Sequence, residues 1–360
     1  MTVNKGNYKV LVIVPPLKAH GGIANYYNSL KDKFGDNIEY FIRTKKNNII
    51  IKVFNIIWIY IKLISKIKDQ NYKIIHLNTS LDFRSLLRDT FIIKIAKHFN
   101  KKCVIFIRGW HDEQEKNVQK YFLNTINNTD ACIVLSSKFK SKLLSWGYNK
   151  PIYVETTTVD DNYLTDYTPI NIETKFVKDS DEINILFFAR VEKYKGIFEA
   201  LETYTLLSEK YKNIKLTIIG DGKEKNKVLE ISQKNNLKKI VFKGFLTGHS
   251  KYNALKDGDI LLFPSYSEGM PNSVLEAMAC GLLIVTRNVG GVDDFFENEK
   301  MGFSTESKDP NVFVDLLEKL IRDKKTRLKI SLYNYNFAKK NFYASIVAKR
   351  IEKIYNDIIN

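Results

Sequence analysis

Cysteine is scarce: Cys103, Cys132 and Cys280 are the only three in 360 residues, at spacings that match neither a zinc framework nor a set of disulfides. Cys103 and Cys132 fall in apolar runs and read as buried, reduced thiols, which predicts a cytosolic chain. Long uncharged apolar runs are missing too. The most apolar segment, 49–68 (IIIKVFNIIWIYIKLISKIK), is interrupted by Lys52, Lys62, Lys66 and Lys68. A spanning helix needs about 20 mostly uncharged apolar residues, so this segment is not one. It reads either as a helix packed on a sheet or as one resting in part, through its lysines, on an anionic membrane. The amino terminus, MTVNKGNYKVLVIVPP, has too short an apolar run for a secretory signal and reads as a first strand. No repeat of solenoid length occurs.

What is present is a globular composition, 44% hydrophobic and 27% charged, in a chain long enough for two domains. The formal net charge is +17, unevenly spread: residues 1–150 carry +16, 151–170 carry −4 and 171–360 carry +5. A basic face attracts nucleic acid, an anionic membrane or phosphorylated substrates. No zinc framework, RNA-binding aromatic signature or helix-turn-helix pattern supports nucleic acid, which is therefore not an expected partner.

Strand-like apolar runs alternate with amphipathic helical stretches, the pattern of parallel sheets in an α/β fold. In the first half the strands read as Tyr8–Val14, Ile38–Phe41, Ile74–Asn78, Cys103–Ile107, Ala131–Leu135 and Ile152–Glu155. A second series follows at Asn184–Ala189, Lys215–Ile219, Ile240–Lys243, Ile260–Pro264 and Leu283–Thr286. Between them Asp160–Glu182 is polar and without clear periodicity. Two doubly wound domains are expected: residues 1–165, a linker at 166–182, and 183–340. Residues 341–360 form a last helix that packs toward the first domain.

Ligands of such sheets bind beyond the carboxyl ends of strands, and the informative residues lie there. The stretch 263–281, FPSYSEGMPNSVLEAMACG, runs from a strand through a polar loop into a helix. It sets Glu268 at the loop and Glu276 one turn into the helix, with free amides that suit hydroxyl-rich or anionic ligands. Ser273-Val274-Leu275-Glu276 also reads as a capping box, in which Glu276 would only satisfy a helix-terminal amide. After the strand ending near Phe188, Arg190 and Lys195 offer two cations for a diphosphate. Alternatively, they are two surface charges in a basic chain. Gly21-Gly22 follows the first strand without completing GxGxxG. Gly220-Asp221-Gly222 and Gly290-Gly291 follow others. Asp257-Gly258-Asp259 has the form of a manganese motif, but it immediately precedes a strand and reads as a turn.

This ordered set resembles the retaining family 4 glycosyltransferases, over most of residues 8–310 and most strongly over 183–305. The two glutamates with seven residues between them and the R-x4-K element are both met. The resemblance implies GT-B architecture, two Rossmann-like domains with the active site in the cleft between them. It implies that Glu268, with Gly269, Met270 and Asn272, holds the donor sugar. Glu276 would hold the ribose, and Arg190 and Lys195 the diphosphate. Gly21 and Gly22 would approach the same phosphates, with Gly220, Lys243 and Gly244 beside the nucleoside. It implies a nucleotide-diphosphate sugar as donor, no metal or other cofactor, and a saccharide or lipid-linked acceptor in bacterial surface polysaccharide synthesis. His111, in the loop after Cys103–Ile107, takes the place of the family's first-domain histidine, although Arg108 lies nearer the strand end. A GT-B-like sugar-nucleotide epimerase is the alternative enzyme.

Overall fold

The computed structural model describes residues 8–18, 21–43, 49–80, 82–109, 115–177 and 182–360. The chain divides into two compact units, Met1–Thr157 together with Ala344–Asn360, and Thr158–Tyr343.

The first unit is built on six parallel strands: β1 (Lys9–Val14), β2 (Ile38–Ile42), β3 (Tyr72–Ser80), β4 (Lys102–Gly109), β5 (Ala131–Val134) and β6 (Ile152–Val154). Their order is β2-β1-β3-β4-β5-β6. A parallel sheet is covered on both faces by its crossover helices, so its strands are apolar throughout. In β1 only Lys9 is exposed. The helices are α1 (Gly22–Leu30), α2 (Ile49–Lys68), α3 (Phe83–His98), α4 (Glu115–Ile126) and α5 (Ser137–Ser145). Leu63 and Ile67 of α2, Ile92 and Ile93 of α3, Phe122 of α4 and Leu143 of α5 share a core with Leu11, Ile13, Ile75, Leu77 and Ile105. Side-chain caps fix two of these helix starts: Asp82 accepts from the Ser85 amide and Ser136 from the Phe139 amide.

The second unit holds α6 (Pro169–Val177), β7 (Ile183–Phe188), α7 (Ile197–Lys210), β8 (Ile214–Ile219), α8 (Lys225–Lys234), β9 (Ile240–Gly244) and α9 (Gly248–Lys256). It continues through β10 (Ile260–Phe263), α10 (Asn272–Ala279), β11 (Leu283–Arg287), β12 (Gly302–Thr305), α11 (Pro310–Ile321) and α12 (Lys324–Asn341). Its six parallel strands run β12-β11-β10-β7-β8-β9. From β7 the chain builds outward through β8 and β9, then returns to the other side of β7 for β10, β11 and β12. In the first unit the same reversal lies between β1 and β3. The carboxyl ends beside such a reversal are where open sheets bind ligands, because the crossovers on either side part there.

Two expectations need correction. The segment 166–182, expected to be a linker, contains a helix. Pro169–Val177 is a helix of the second unit: Ile172 is buried, and the Tyr335 hydroxyl donates to the Tyr167 carbonyl at 2.7 Å. Its polar composition hides a single apolar stripe. The strand β12 escapes a sequence reading because GFST is short and carries one large apolar residue; it is an edge strand defined by pairing with β11.

The final helix, α13 (Ala344–Ile359), belongs to the first unit. It buries Ala344, Val347, Ala348, Ile351, Ile354 and Tyr355, a stripe at helical spacing. Arg350 pairs bidentately with Glu155 (Nε–Oε1 2.6 Å, Nη2–Oε2 2.9 Å), and Glu352 accepts from the Gly35 amide at 2.7 Å. The Tyr355 hydroxyl meets Nδ1 of His76 at 2.8 Å, while Nε2 of His76 meets the Tyr27 hydroxyl at 3.1 Å. Tyr27 in turn donates to Oδ1 of Asn78 at 3.0 Å. With the Tyr27 proton given to Asn78, His76 must carry its proton on Nε2 and accept from Tyr355 on Nδ1. The imidazole therefore sits neutral in a closed chain linking α1, β3 and α13.

Burial, and secondarily the Arg108 charge, push the His76 pKa down to about 3. Below its ordinary value near 6.5 the unfolded chain takes up a proton that the native state refuses, so stability falls as pH drops from about 6.5 toward 3. Thermal unfolding between pH 7 and 4 should show this decline. A His76→Gln variant, which does not titrate, should show a shallower one; parallel curves would mean that His76 does not carry the effect.

Candidate active site

The second unit gathers its candidates where β7 and β10 part. Beyond β7 the chain passes Arg190, makes a short 3-10 turn over Lys193–Lys195 and enters α7. Beyond β10 it runs through Ser265 to Glu268 before α10. The two loops are tied by the Tyr266 amide, which donates to the Tyr194 carbonyl at 2.9 Å. That register delivers Lys195 to Glu268: Nζ lies 2.6 Å from Oε1, with both side chains 13% exposed. The Ser265 hydroxyl donates to the same oxygen at 2.7 Å. One carboxylate oxygen thus takes two donors, and Glu268 is held as an oriented anion with the ammonium beside it.

The loop is braced from beneath. Gly290, at φ 58°, passes so close that a Cβ there would lie 2.2 Å from the Gly269 carbonyl oxygen and 2.4 Å from that of Glu268. The next amide, Gly291, donates to the Gly269 carbonyl at 2.6 Å. Any side chain at Gly290 would displace the glutamate loop, which is the physical content of the Gly290-Gly291 motif. Arg287, buried at the end of β11, donates to the carbonyls of Ser265 (3.3 Å) and Glu306 (3.0 Å) and lies over the Tyr266 ring. Gly220 does comparable work at the end of β8. A Cβ there would lie 1.9 Å from the Ala189 carbonyl oxygen, and the Gly220 amide donates to the Gly244 carbonyl at 2.8 Å. Gly220 and Gly244 are thereby brought beside the strand that leads to Arg190.

Glu276 settles the capping question. The helix α10 begins at Asn272 after Pro271 with no side-chain cap, and the Val274 amide turns to the Pro271 carbonyl at 3.1 Å. Glu276 instead pairs with Lys251 of α9, Nζ to Oε1 at 2.7 Å, the side chains 18% and 9% exposed. Burial raises the Glu276 pKa; the Lys251 charge and hydrogen bond oppose that rise. Sequence reasoning missed Lys251, Ser265 and Arg287. Lys251 is one of 57 basic residues and stands in no motif, so only the fold distinguishes it.

Not every expected residue arrives. Arg190 turns outward, 64% exposed, with Nη1 3.5 Å from Glu192 and its guanidinium over the Tyr194 ring. Lys243 points away from the glutamates: alternation along β9 directs it to Asp257 at 4.0 Å, at the amino end of β10. Gly244 follows Lys243 as the last residue of β9. Met270 is buried next to Gly269. Gly21 and Gly22 open α1 in the first unit, and Gly22 is its first helical residue. His111 lies outside the described residues. In the Asp257-Gly258-Asp259 turn, Asp259 accepts from the Asn184 amide at 2.7 Å and pairs with Lys175 at 3.0 Å. Among the described residues no group of three or more His, Cys, Asp or Glu is placed to hold a metal ion.

Comparison with known proteins gives this geometry a context. Residues 170–337 match the family described as Glycosyl transferases group 1. The capsular polysaccharide biosynthesis glycosyltransferase CapM of Staphylococcus aureus is 28% identical over 231 residues, covering 62% of this chain and 57% of the relative. The N,N'-diacetylbacillosaminyl-diphospho-undecaprenol alpha-1,3-N-acetylgalactosaminyltransferase of Campylobacter jejuni is 28% identical over 209 residues, 58% of this chain and 51% of that protein. The chain thus spans about half the length of the curated relatives it matches. Among solved structures, HepE of Anabaena in complex with UDP and glucose has a TM-score of 0.72 at 16% identity, covering 97% of this chain and 99% of that one. Sucrose-phosphate synthase of Thermosynechococcus elongatus has 0.76 at 16%, covering 98% and 99%. The two six-stranded Rossmann-like units are therefore those of the GT-B fold.

The Lys251–Glu276 pair is nearly dry, and removing one partner of such a pair typically costs about 3–5 kcal/mol because the other charge is stranded. Lys251→Met alone should lower unfolding stability by roughly that order, and Lys251→Met with Glu276→Gln should recover much of it. Denaturant titration of the four members of the cycle measures the coupling, and additive losses would deny it.

Proposed function

We infer, from a second unit that is a group 1 glycosyl transferase domain and carries Lys195 against Glu268 at its strand-order reversal, that this chain is a retaining glycosyltransferase using a nucleoside diphosphate sugar. The Lys195–Glu268 pair is the observation that carries the reading. A sugar–phosphate donor is cationic in its needs at one end and hydroxyl-rich at the other, and this pair offers an ammonium and an oriented carboxylate side by side. Lys195, with Arg190 swinging in from its exposed position, would hold the diphosphate. Glu268 and the amides of Gly269, Met270 and Asn272 would hold the sugar hydroxyls, and Glu276, set by Lys251, the ribose hydroxyls.

In the reaction the bond from C1 of the sugar to the diphosphate oxygen breaks, and the bond from C1 to an acceptor hydroxyl oxygen forms with the same anomeric configuration. The acceptor proton passes to the departing diphosphate. Negative charge grows on that leaving group, and the Lys195 and Arg190 cations stabilise it without a requirement for metal. The HepE complex with UDP and glucose and the diphospho-undecaprenol acceptor in the name of the Campylobacter relative support a nucleotide-sugar donor and a saccharide or lipid-linked acceptor. CapM supports a place in surface polysaccharide synthesis. A thermal-shift panel of UDP-, GDP- and ADP-sugars identifies the base, since bound ligand raises apparent stability. Glu276→Ala should stay folded and lose at least about a hundredfold in sugar transfer. Unchanged transfer by the folded variant would sink the reading.

A lipid-linked acceptor calls for a membrane surface, and we place it on α2 and α3. No helix among the described residues is long and apolar enough to cross a membrane. Yet Ile57, Trp58 and Ile61 of α2 and Phe83, Leu87 and Phe91 of α3 are each about half exposed. Tyr60 and Phe91 meet edge to face at 5.6 Å, so the two helices present one apolar surface. Lys62 lies over Trp58, and Arg84 and Lys94 are exposed on α3. Apolar side chains fringed by cations suit the inner boundary of an anionic bilayer. Vesicles rich in phosphatidylglycerol should co-sediment the chain and phosphatidylcholine vesicles should not, with binding lost in Trp58→Ser/Ile61→Ser. Equal binding to both vesicle types would overturn the placement.

A further inference from the structure

We propose that Arg108 is a binding residue for an oxyanion on the acceptor, a diphosphate linkage or an acidic sugar. The name of the occupant rests on the transferase reading; the anion site itself does not. Arg108 is the penultimate residue of β4, at the carboxyl edge of the first unit's sheet, where ligands of open parallel sheets bind. Its guanidinium carbon stacks 3.9 Å from the centroid of Tyr26 and 4.4 Å from that of Phe106. The two aromatic faces hold the guanidinium plane. Nη1 is buried and has no hydrogen-bond partner among the described residues, and the hydroxyl of Tyr26, itself 2% exposed, has none either. The residue as a whole is partly exposed at the end of the strand, while Nη1 itself is buried.

Among the described residues no free carboxylate meets the charge. His76 is neutral, and Tyr27 gives its proton to Asn78. Glu155 is the carboxylate whose charge reaches Tyr26, and it is taken up bidentately by Arg350, which also donates to Thr156. A buried guanidinium with an empty donor costs the fold stability, whereas the same group with an oxyanion across its fork gains a bidentate, charge-assisted contact. Arginine rather than lysine suits this use, because a planar fork lying between rings directs its edge outward. The Tyr26 hydroxyl, equally unpartnered, is a second donor for the same ligand.

The test uses the full chain with UDP, GDP and ADP all in excess, which fills the donor site and leaves the anion site as the readout. The probes are decyl diphosphate, decyl glucuronide and neutral decyl glucoside below their micelle concentrations. The wild-type chain should bind one or both anionic probes at least tenfold more tightly than decyl glucoside. Preference for the diphosphate assigns the anion to the linkage, and preference for the glucuronide assigns it to an acidic sugar. Arg108→Gln should erase the preference, keep the nucleotide-induced thermal shift, and melt at or above the wild-type temperature. Tyr26→Phe should weaken anion binding severalfold. Absence of any anion preference in the wild type, or its survival in Arg108→Gln, overturns the proposal. If Arg108→Gln does not fold, Arg108→Lys decides: it keeps the charge without the fork, and unchanged anion affinity overturns the assignment. A missing nucleotide shift with anion preference intact counts against the transferase reading alone.

Discussion

The carboxylate of Glu268, gripped on one oxygen by Lys195 and Ser265, sits where β7 and β10 separate, and much of the second unit is arranged around it. Two nearly dry opposite charges persist only if their geometry is held, since desolvation otherwise outweighs attraction. The holding is visible at every layer. The Tyr194 carbonyl ties one loop to the other, Gly290 and Gly291 press against the glutamate loop, and Arg287 anchors its base. The Lys251–Glu276 pair repeats the principle a turn farther on, with a whole helix, α9, placed to deliver one ammonium.

The first unit shows the contrasting case. Its polar interior is a chain of neutral groups, Tyr355, His76, Tyr27 and Asn78, in which every proton has an acceptor. Beside it Arg108 is charged, stacked and incompletely bonded. Neutral, closed networks stabilise a fold, whereas an open cationic one lowers its stability until something fills it. The difference separates residues that hold α13 against the sheet from one that faces a ligand.

Eleven of the twelve strands were legible because parallel strands buried on both faces are nearly continuous apolar runs. The exception, Gly302–Thr305, is an edge strand whose existence depends on pairing with β11 rather than on its own composition. Pro169–Val177 was read as linker for a related reason: its apolar stripe is narrow, and only contact with α12 and the β10 side of the unit gives it a partner. Spacing placed Lys195 and Glu268 in loops beyond strand ends and Glu276 one turn into a helix, which is where they lie. Spacing did not reveal that Lys195 binds Glu268, that Arg190 faces outward, or that Lys243 turns to Asp257.

By itself the sequence determined the α/β alternation and set Glu268 and Glu276 in the segment that follows one strand's carboxyl end. These follow from periodicity and local turn propensity, which act over a few residues. Only the tertiary structure decided which cation meets which carboxylate. Lys251 and Glu276 are 25 residues apart and Lys195 and Glu268 are 73. Such pairings are set by strand order and register, and no local pattern encodes them. The same holds for Glu276 itself. Four residues of sequence describe a capping box equally well, whereas in the structure α10 has no side-chain cap and Glu276 pairs with the Lys251 ammonium 2.7 Å away.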